Sequence, residues 1–223
     1  MSTSTSTRGS SFTRRIVAVA AVGAAAAVVA VALQTHVLAP AGTASAAAST
    51  SALTEVQLAS WTGTPKALTA SSASGTAAAS WCEDGLAADS TAAATVSNLD
   101  QRGTIASMLV SRGGYTSFCL TTGGEQGMWE IVNEPGSTLP AVAATAIDLG
   151  SEDQHGTPAV DSAWGSAGAD VKSVVLHAGG RTVTATVDHG FWTAWWPGEQ
   201  VPAAMSAVVT TTSGATTTTT LGS

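Results

Sequence analysis

The sequence predicts an α+β fold: a mainly antiparallel β outer domain with short N-terminal helices, preceded by one transmembrane or signal helix. Three observations carry this. Residues 16–33 read IVAVAAVGAAAAVVAVAL, with neither charge nor proline. From Ala94 onward, short runs rich in Val, Thr, Ile and Trp are separated by glycine pairs and other turn residues. Between these regions lie two short stretches of helix-forming residues.

Residues 1–15 are rich in Ser and Thr and predict a disordered cytoplasmic tail. Residues 16–35 predict the membrane helix. At roughly 1.5 Å per residue its apolar core spans about 27 Å, close to the ~30 Å of bilayer hydrocarbon. Arg8, Arg14 and Arg15 precede it, and the next basic residue is Lys66. The positive-inside rule therefore puts the N-terminus in the cytoplasm and the rest outside. Two fates stay open. The helix is retained as an anchor, or it is a signal peptide cleaved after Ala46 at the Ala44-Ser45-Ala46 site. Its length, beyond the usual about 7 to 15 residues of a signal core, favours the anchor. Thr13-Arg14-Arg15 weakly resembles a twin-arginine signal, and no cysteine near the cleavage region offers a lipid anchor. Residues 36–52 predict a flexible tether, and residues 53–223 the extracytoplasmic β-rich domain.

Charge narrows the partners. Beyond the apolar run, Lys66, Arg102, Arg112, Lys172 and Arg181 stand against all fifteen acids, so that part carries about -10 with neutral histidines. Such a surface repels phosphate backbones and anionic lipid head groups, which argues against nucleic-acid binding.

Taken in order, Thr54 to Ala59 predicts a short helix capped by Ser51 or Thr54, and Ala77 to Cys82 a second ended by Gly85. Thr95 to Leu99 predicts a strand, followed by a turn at Asp100 to Gly103. Thr104 to Val110 and Tyr115 to Leu120 predict strands joined by a Gly113-Gly114 hairpin turn. Met128 to Val132 predicts another. Residues 133–165, with Pro135, Pro140 and Pro158, predict mostly loop, with one strand at Ala141 to Ile147. Val171 to His177 and Arg181 to Val187 predict strands around Gly179-Gly180, the second alternating polar and apolar. Phe191 to Trp196 predicts a strand stopped by Pro197-Gly198. Ala207 to Thr212 and Ala215 to Leu221 predict a final hairpin.

Cys82 and Cys119 are the two cysteines, both on the exported side, where oxidising conditions favour a disulfide. Their spacing is far from the C-x-x-C of redox sites.

Candidate chemistry is sparse. Ser151 to His155 places two acids near a histidine but matches no metal-ligand spacing, and predicts a solvated loop. His177 and His189 flank the Gly179-Gly180 hairpin with Asp188 adjacent, yet no G-x-S-x-G nucleophile accompanies them. Asp188-His189-Gly190 is ordinary turn chemistry. Glu83, Asp84, Glu130 and Glu134 predict solvated surface acids. No catalytic, cofactor or metal site is expected. Trp192, Trp195 and Trp196 offer two alternatives, packing in the core or an exposed platform for glycan or peptide. Alternation puts Trp192 and Trp196 on one face of the strand, and Phe191, Thr193 and Trp195 on the other.

The segment Gly165 to Gly198 reads GSAGADVKSVVLHAGGRTVTATVDHGFWTAWWPG. It resembles a segment of exported or membrane-anchored actinobacterial proteins, in which Gly-x-x-Gly-x-x-Val leads to a strand, a turn, a Thr-Val-x-Ala-Thr-Val strand and a Trp-Trp-Pro-Gly ending. Asp100-Gln101-Arg102-Gly103 and Tyr115 to Leu120 are similar to the strand and cysteine region of the same proteins. The resemblance implies a bacterial cell-envelope location and a β-rich outer domain, and brings no activity with it. The functional expectation is a single-pass, membrane-anchored envelope protein with a non-enzymatic binding domain for an envelope protein or cell-wall glycan. A sensing subunit, an envelope hydrolase and a secreted protein are its alternatives.

Overall fold

The computed structural model describes residues 53–86, 90–124, 126–198 and 205–222. The predicted tail, membrane or signal helix and tether lie outside these residues. Among the described residues, no helix is long and apolar enough to cross a membrane.

Helix α1 (Glu55–Ala59) begins with a capping box: Thr54 accepts from the Gln57 backbone N–H, and Gln57 Oε1 accepts from Thr54 N–H at 2.7 Å. Of the two expected caps, Thr54 is the one used. A two-residue strand β1 (Lys66–Ala67) follows. Helix α2 (Ala73–Gly85) starts upstream of the expected Ala77, because Ser72 caps it by accepting from Gly75 N–H at 3.1 Å.

The strands among the described residues form three antiparallel sheets. The first runs β1, β2 (Thr95–Arg102), β3 (Ile105–Arg112), β4 (Tyr115–Thr121), β5 (Gly127–Asn133). The second runs β10 (Thr186–Asp188), β11 (Phe191–Pro197), β7 (Val160–Ser166), β6 (Ser151–His155). The third runs β13 (Thr216–Leu221), β12 (Met205–Thr211), β8 (Val171–Ala178), β9 (Arg181–Thr184).

Three apolar clusters order these elements into layers. Ala78, Ala79 and Cys82 of α2 pack on Ala106, Met108, Val110 and Cys119 of the first sheet. The opposite face of that sheet, with Ile105, Leu109, Phe118 and Leu120, packs on Val160, Trp164 and Trp195 of the second. The far face of the second sheet, with Ala163, Trp192, Ala194 and Trp196, packs on Val174, Leu176, Ala207 and Val209 of the third. The second sheet is therefore covered on both sides. So is the middle of the first, which is why Ile105 to Val110 is buried without a break. Among the described residues the third sheet has one covered face, and β12 alternates buried and half-buried residues accordingly.

The disulfide forms as expected. Cys82 and Cys119 are bonded, with Cα atoms 6.0 Å apart, joining α2 to β4. Closing a loop of this length stabilises by about 4 kcal/mol on the loop-entropy model.

Several expectations change. The end of the loop expected over residues 133–165 is instead the start of β7, a fully buried strand. Asp100 to Arg102 belongs to β2 and not to a turn, because Asp100 and Arg102 are buried as a pair and only Gly103-Thr104 turns the chain. The expected strand at Ala141 to Ile147 is absent. One isolated bridge, Ile147 to Ala167, stands in its place. Ser151 to His155, expected as a solvated loop, is the edge strand β6, paired to the buried β7. The single strand expected over Arg181 to Val187 is two. It breaks at Ala185, whose N–H donates to Val174, so that β9 pairs in the third sheet and β10 in the second.

Candidate functional site

The Trp-rich strand offers no platform. Trp192, Trp195 and Trp196 are each at most 1% exposed. The expected alternation holds, with Trp192 and Trp196 facing the third sheet and Trp195 the first. What fails is the open face: β11 lies inside the second sheet, and a covered sheet buries both sets of side chains. The Trp192 indole N–H donates to the Asp148 carbonyl at 2.8 Å. Gly165 makes this approach possible, since a Cβ there would sit 2.0 Å from that carbonyl oxygen.

The three histidines among the described residues have three settings. His189, three-quarters exposed, donates through Nδ1 to its neighbour Asp188 at 2.7 Å, and has a left-handed backbone (φ 48°). His177, exposed, has its Nδ1 3.3 Å from the Thr182 hydroxyl. His155 is the one drawn into a cluster. Its Nε2 lies 2.7 Å from Glu130 Oε2 and 3.3 Å from the buried Ser162 hydroxyl. The cluster forms because β5 brings Glu130, β6 His155 and β7 Ser162 to the space between the first and second sheets. The hydrogen bond to Glu130 raises the His155 pKa above the usual imidazole value, against the opposing effect of burial.

Ser, His and Glu together suggest a hydrolytic triad, but the connectivity differs. In a triad the imidazole contacts the nucleophile through one nitrogen and the acid through the other. Here Ser162 and Glu130 share the same nitrogen, so the ring has no path from one to the other. Among the described residues, no group of three or more His, Cys, Asp or Glu side chains gathers at metal-binding distance.

On the other face of the β6–β7 pair, Glu152 of β6 and Asp161 of β7 both have raised pKa values, chiefly through burial. For Glu152 the charges of Asp161 and Asp153 add to the rise. For Asp161, hydrogen bonding from Gln154 and the Trp196 indole and the charge of Arg181 hold it back.

The β6–β7 turn, residues 156–159, stands between two grooves. The smaller, about 610 Å³, is lined by Leu53, Met128, Trp129, His155, Pro158 and Val160 among others. The larger, about 1090 Å³, is lined by Glu55, Leu58, Trp61, Gln154, Arg181 and Gly198 among others. Its most distinctive feature is a stacked pair. The Arg181 guanidinium lies 5.7 Å over the Trp61 ring. Trp61 itself is fixed by an edge contact to Trp195 and by its indole N–H, which donates to the Trp195 carbonyl at 3.0 Å. Trp61 follows α1 and Arg181 begins β9, so no local spacing in the chain marks them as neighbours.

A second polar cluster is wholly internal. Arg102, fully buried, donates to the carbonyls of Thr62, Gly63 and Thr184, and lies 3.6 Å from Asp100. Asp100 accepts from Ser107 at 2.7 Å and from Thr186. Asn98 donates its side-chain amide to the carbonyls of Thr186 and Phe191. These contacts tie β2 to the segment that crosses from the third sheet to the second, and none faces an opening. Burial raises the Asp100 pKa and lowers that of Arg102, each against the charge of the other.

No protein-family model, curated protein or solved structure matches this chain.

Proposed function

We propose that the chain is a cell-envelope protein, held at the membrane by its N-terminal apolar segment, whose outer domain binds a cell-wall glycan without chemistry upon it. The observation that carries this reading is the larger groove beside the β6–β7 turn, with Trp61 and Arg181 on its wall. The part of the Trp61 indole left uncovered by Arg181 and Trp195 gives a sugar an apolar edge to contact. The guanidinium over the indole supplies donors in a fixed fork for a carboxylate or hydroxyls. Of the groove's two charged lining residues, Glu55 and Arg181, Arg181 is the one that can meet an acid group of the ligand. The charge-free span at residues 16–33, flanked by arginines on one side, supports the envelope location, and the disulfide is consistent with an oxidising compartment.

The test is co-sedimentation of the full-length protein, in detergent, with purified cell-wall glycan. Wild type is expected in the pellet. Arg181→Ala, an exposed change that leaves the fold intact, is expected to lose most of the binding, and Trp61→Phe a smaller part. A wild type that stays in the supernatant, or an Arg181→Ala variant that sediments equally well, would refute the proposal.

A further inference from the structure

Among the described residues each of the three sheets has two edges, and five of these six edge strands carry a charged residue: Lys66 on β1, Glu130 on β5, Asp188 on β10, Glu152 and Asp153 on β6, and Arg181 on β9. Charge on an edge strand guards its unpaired N–H and C=O groups against strand addition. The remaining edge, β13, reads Thr-Thr-Thr-Thr-Thr-Leu, with no charge, proline or bulge. Thr216, Thr217, Thr218 and Thr220 are exposed, so both faces of the strand are open along most of its length.

The register shows which backbone groups are free. The hairpin bond from Thr211 N–H to the Ala215 carbonyl makes that pair hydrogen-bonded, so Thr217 and Thr219 point their backbone groups at β12. Thr216, Thr218 and Thr220 point theirs outward. From this we propose that β13 is a pairing edge for a second copy of the same chain, joining two third sheets across a two-fold axis at Thr218.

Self-complementarity argues for this occupant. A run of one residue type reads the same in both directions, so an antiparallel partner meets threonine with threonine throughout. Pairing about Thr218 sets Thr216 against Thr220 of the second copy and forms about six backbone hydrogen bonds. Elsewhere two such acidic domains repel each other, and β13 is the edge that meets its copy without a like charge. A single strand pair buries less than the roughly 1,200 Å² of a stable interface. The contact therefore depends on the concentration that confinement to a surface provides.

The experiment uses intact cells producing the full chain. Thr218→Cys is expected to give a dimer with a short bis-maleimide, whereas Ser213→Cys, at the hairpin tip, is not. Adding Thr220→Lys to the Thr218→Cys chain places a charge on the edge and is expected to remove most of the dimer band. Equal cross-linking of Thr218→Cys and Ser213→Cys, or a dimer band unmoved by Thr220→Lys, would overturn the proposal. So would a cross-linked product whose mass is not twice that of the chain, since the occupant would then be another protein.

Discussion

Arg102 is the residue whose loss should hurt this domain most for its position in the chain. Arg102→Met keeps most of the apolar stem and removes the guanidinium. Three carbonyls lose their donor and the buried Asp100 loses its cation. Breaking a buried pair from one side costs about 3–5 kcal/mol. With a urea dependence of about 2 kcal/mol per molar, the unfolding midpoint of the full-length protein should fall by about 2 M. The loss should also depend on pH. Burial already raises the Asp100 pKa, and the charge of Arg102 opposes that rise. Without Arg102 the rise is larger. A raised carboxyl pKa favours the neutral form in the fold, so its contribution is complete below the unfolded value of about 3.9 and falls as pH climbs through the folded value. The deficit of Arg102→Met against wild type should therefore be greater near pH 7 than near about pH 4. Adding Asp100→Asn should recover part of it near neutrality. A midpoint shift below about 0.5 M, or a deficit equal at both pH values, would refute the account of this cluster.

Other consequences are equally direct. Cys119→Ala should lower stability by about 4 kcal/mol, and a reductant should shift the urea midpoint of wild type but not of the variant. Trp192→Phe orphans the Asp148 carbonyl and should cost about 1–3 kcal/mol more than Trp195→Phe, because the Trp195 indole N–H has no partner to lose; thermal melts of the pair test the order. The His155 pKa is raised, so its stabilising effect is complete below about pH 6.5 and lost as pH rises through the folded value. His155→Gln should flatten the dependence of Tm on pH in that interval.

Much of the β architecture was legible because local signals agreed with it. Gly113-Gly114 and Gly179-Gly180 adopt the positive φ that their turns require, and β3, β4 and β8 beside them lie where strands were expected, whereas the alternating strand after Gly180 divides at Ala185. The disulfide was legible because the sequence holds two cysteines and no C-x-x-C spacing. The same logic failed over residues 141–165, where β6 and the buried β7 stand in an expected loop. There the apolar stretch had no partner strand, while the polar Ser151 to His155 found one in β7. Pairing with a buried neighbour overrides composition, since an edge strand needs backbone bonds more than it needs apolar side chains.

The sequence by itself determined the periodicities: which residues of β11 share a face, where the turns fall, and that a charge-free stretch precedes an acidic domain. Only the tertiary structure decided how many faces of each sheet are covered. That count turned Trp192, Trp195 and Trp196 from a possible platform into core, and left β13 as an edge without a guard. It also brought Trp61 to Arg181, and Glu130 to His155, across long separations in the chain. The reason is physical: alternation is set by the pleat of a single strand, whereas burial is set by what stacks upon it, and stacking is a relation between strands that no short stretch of chain encodes.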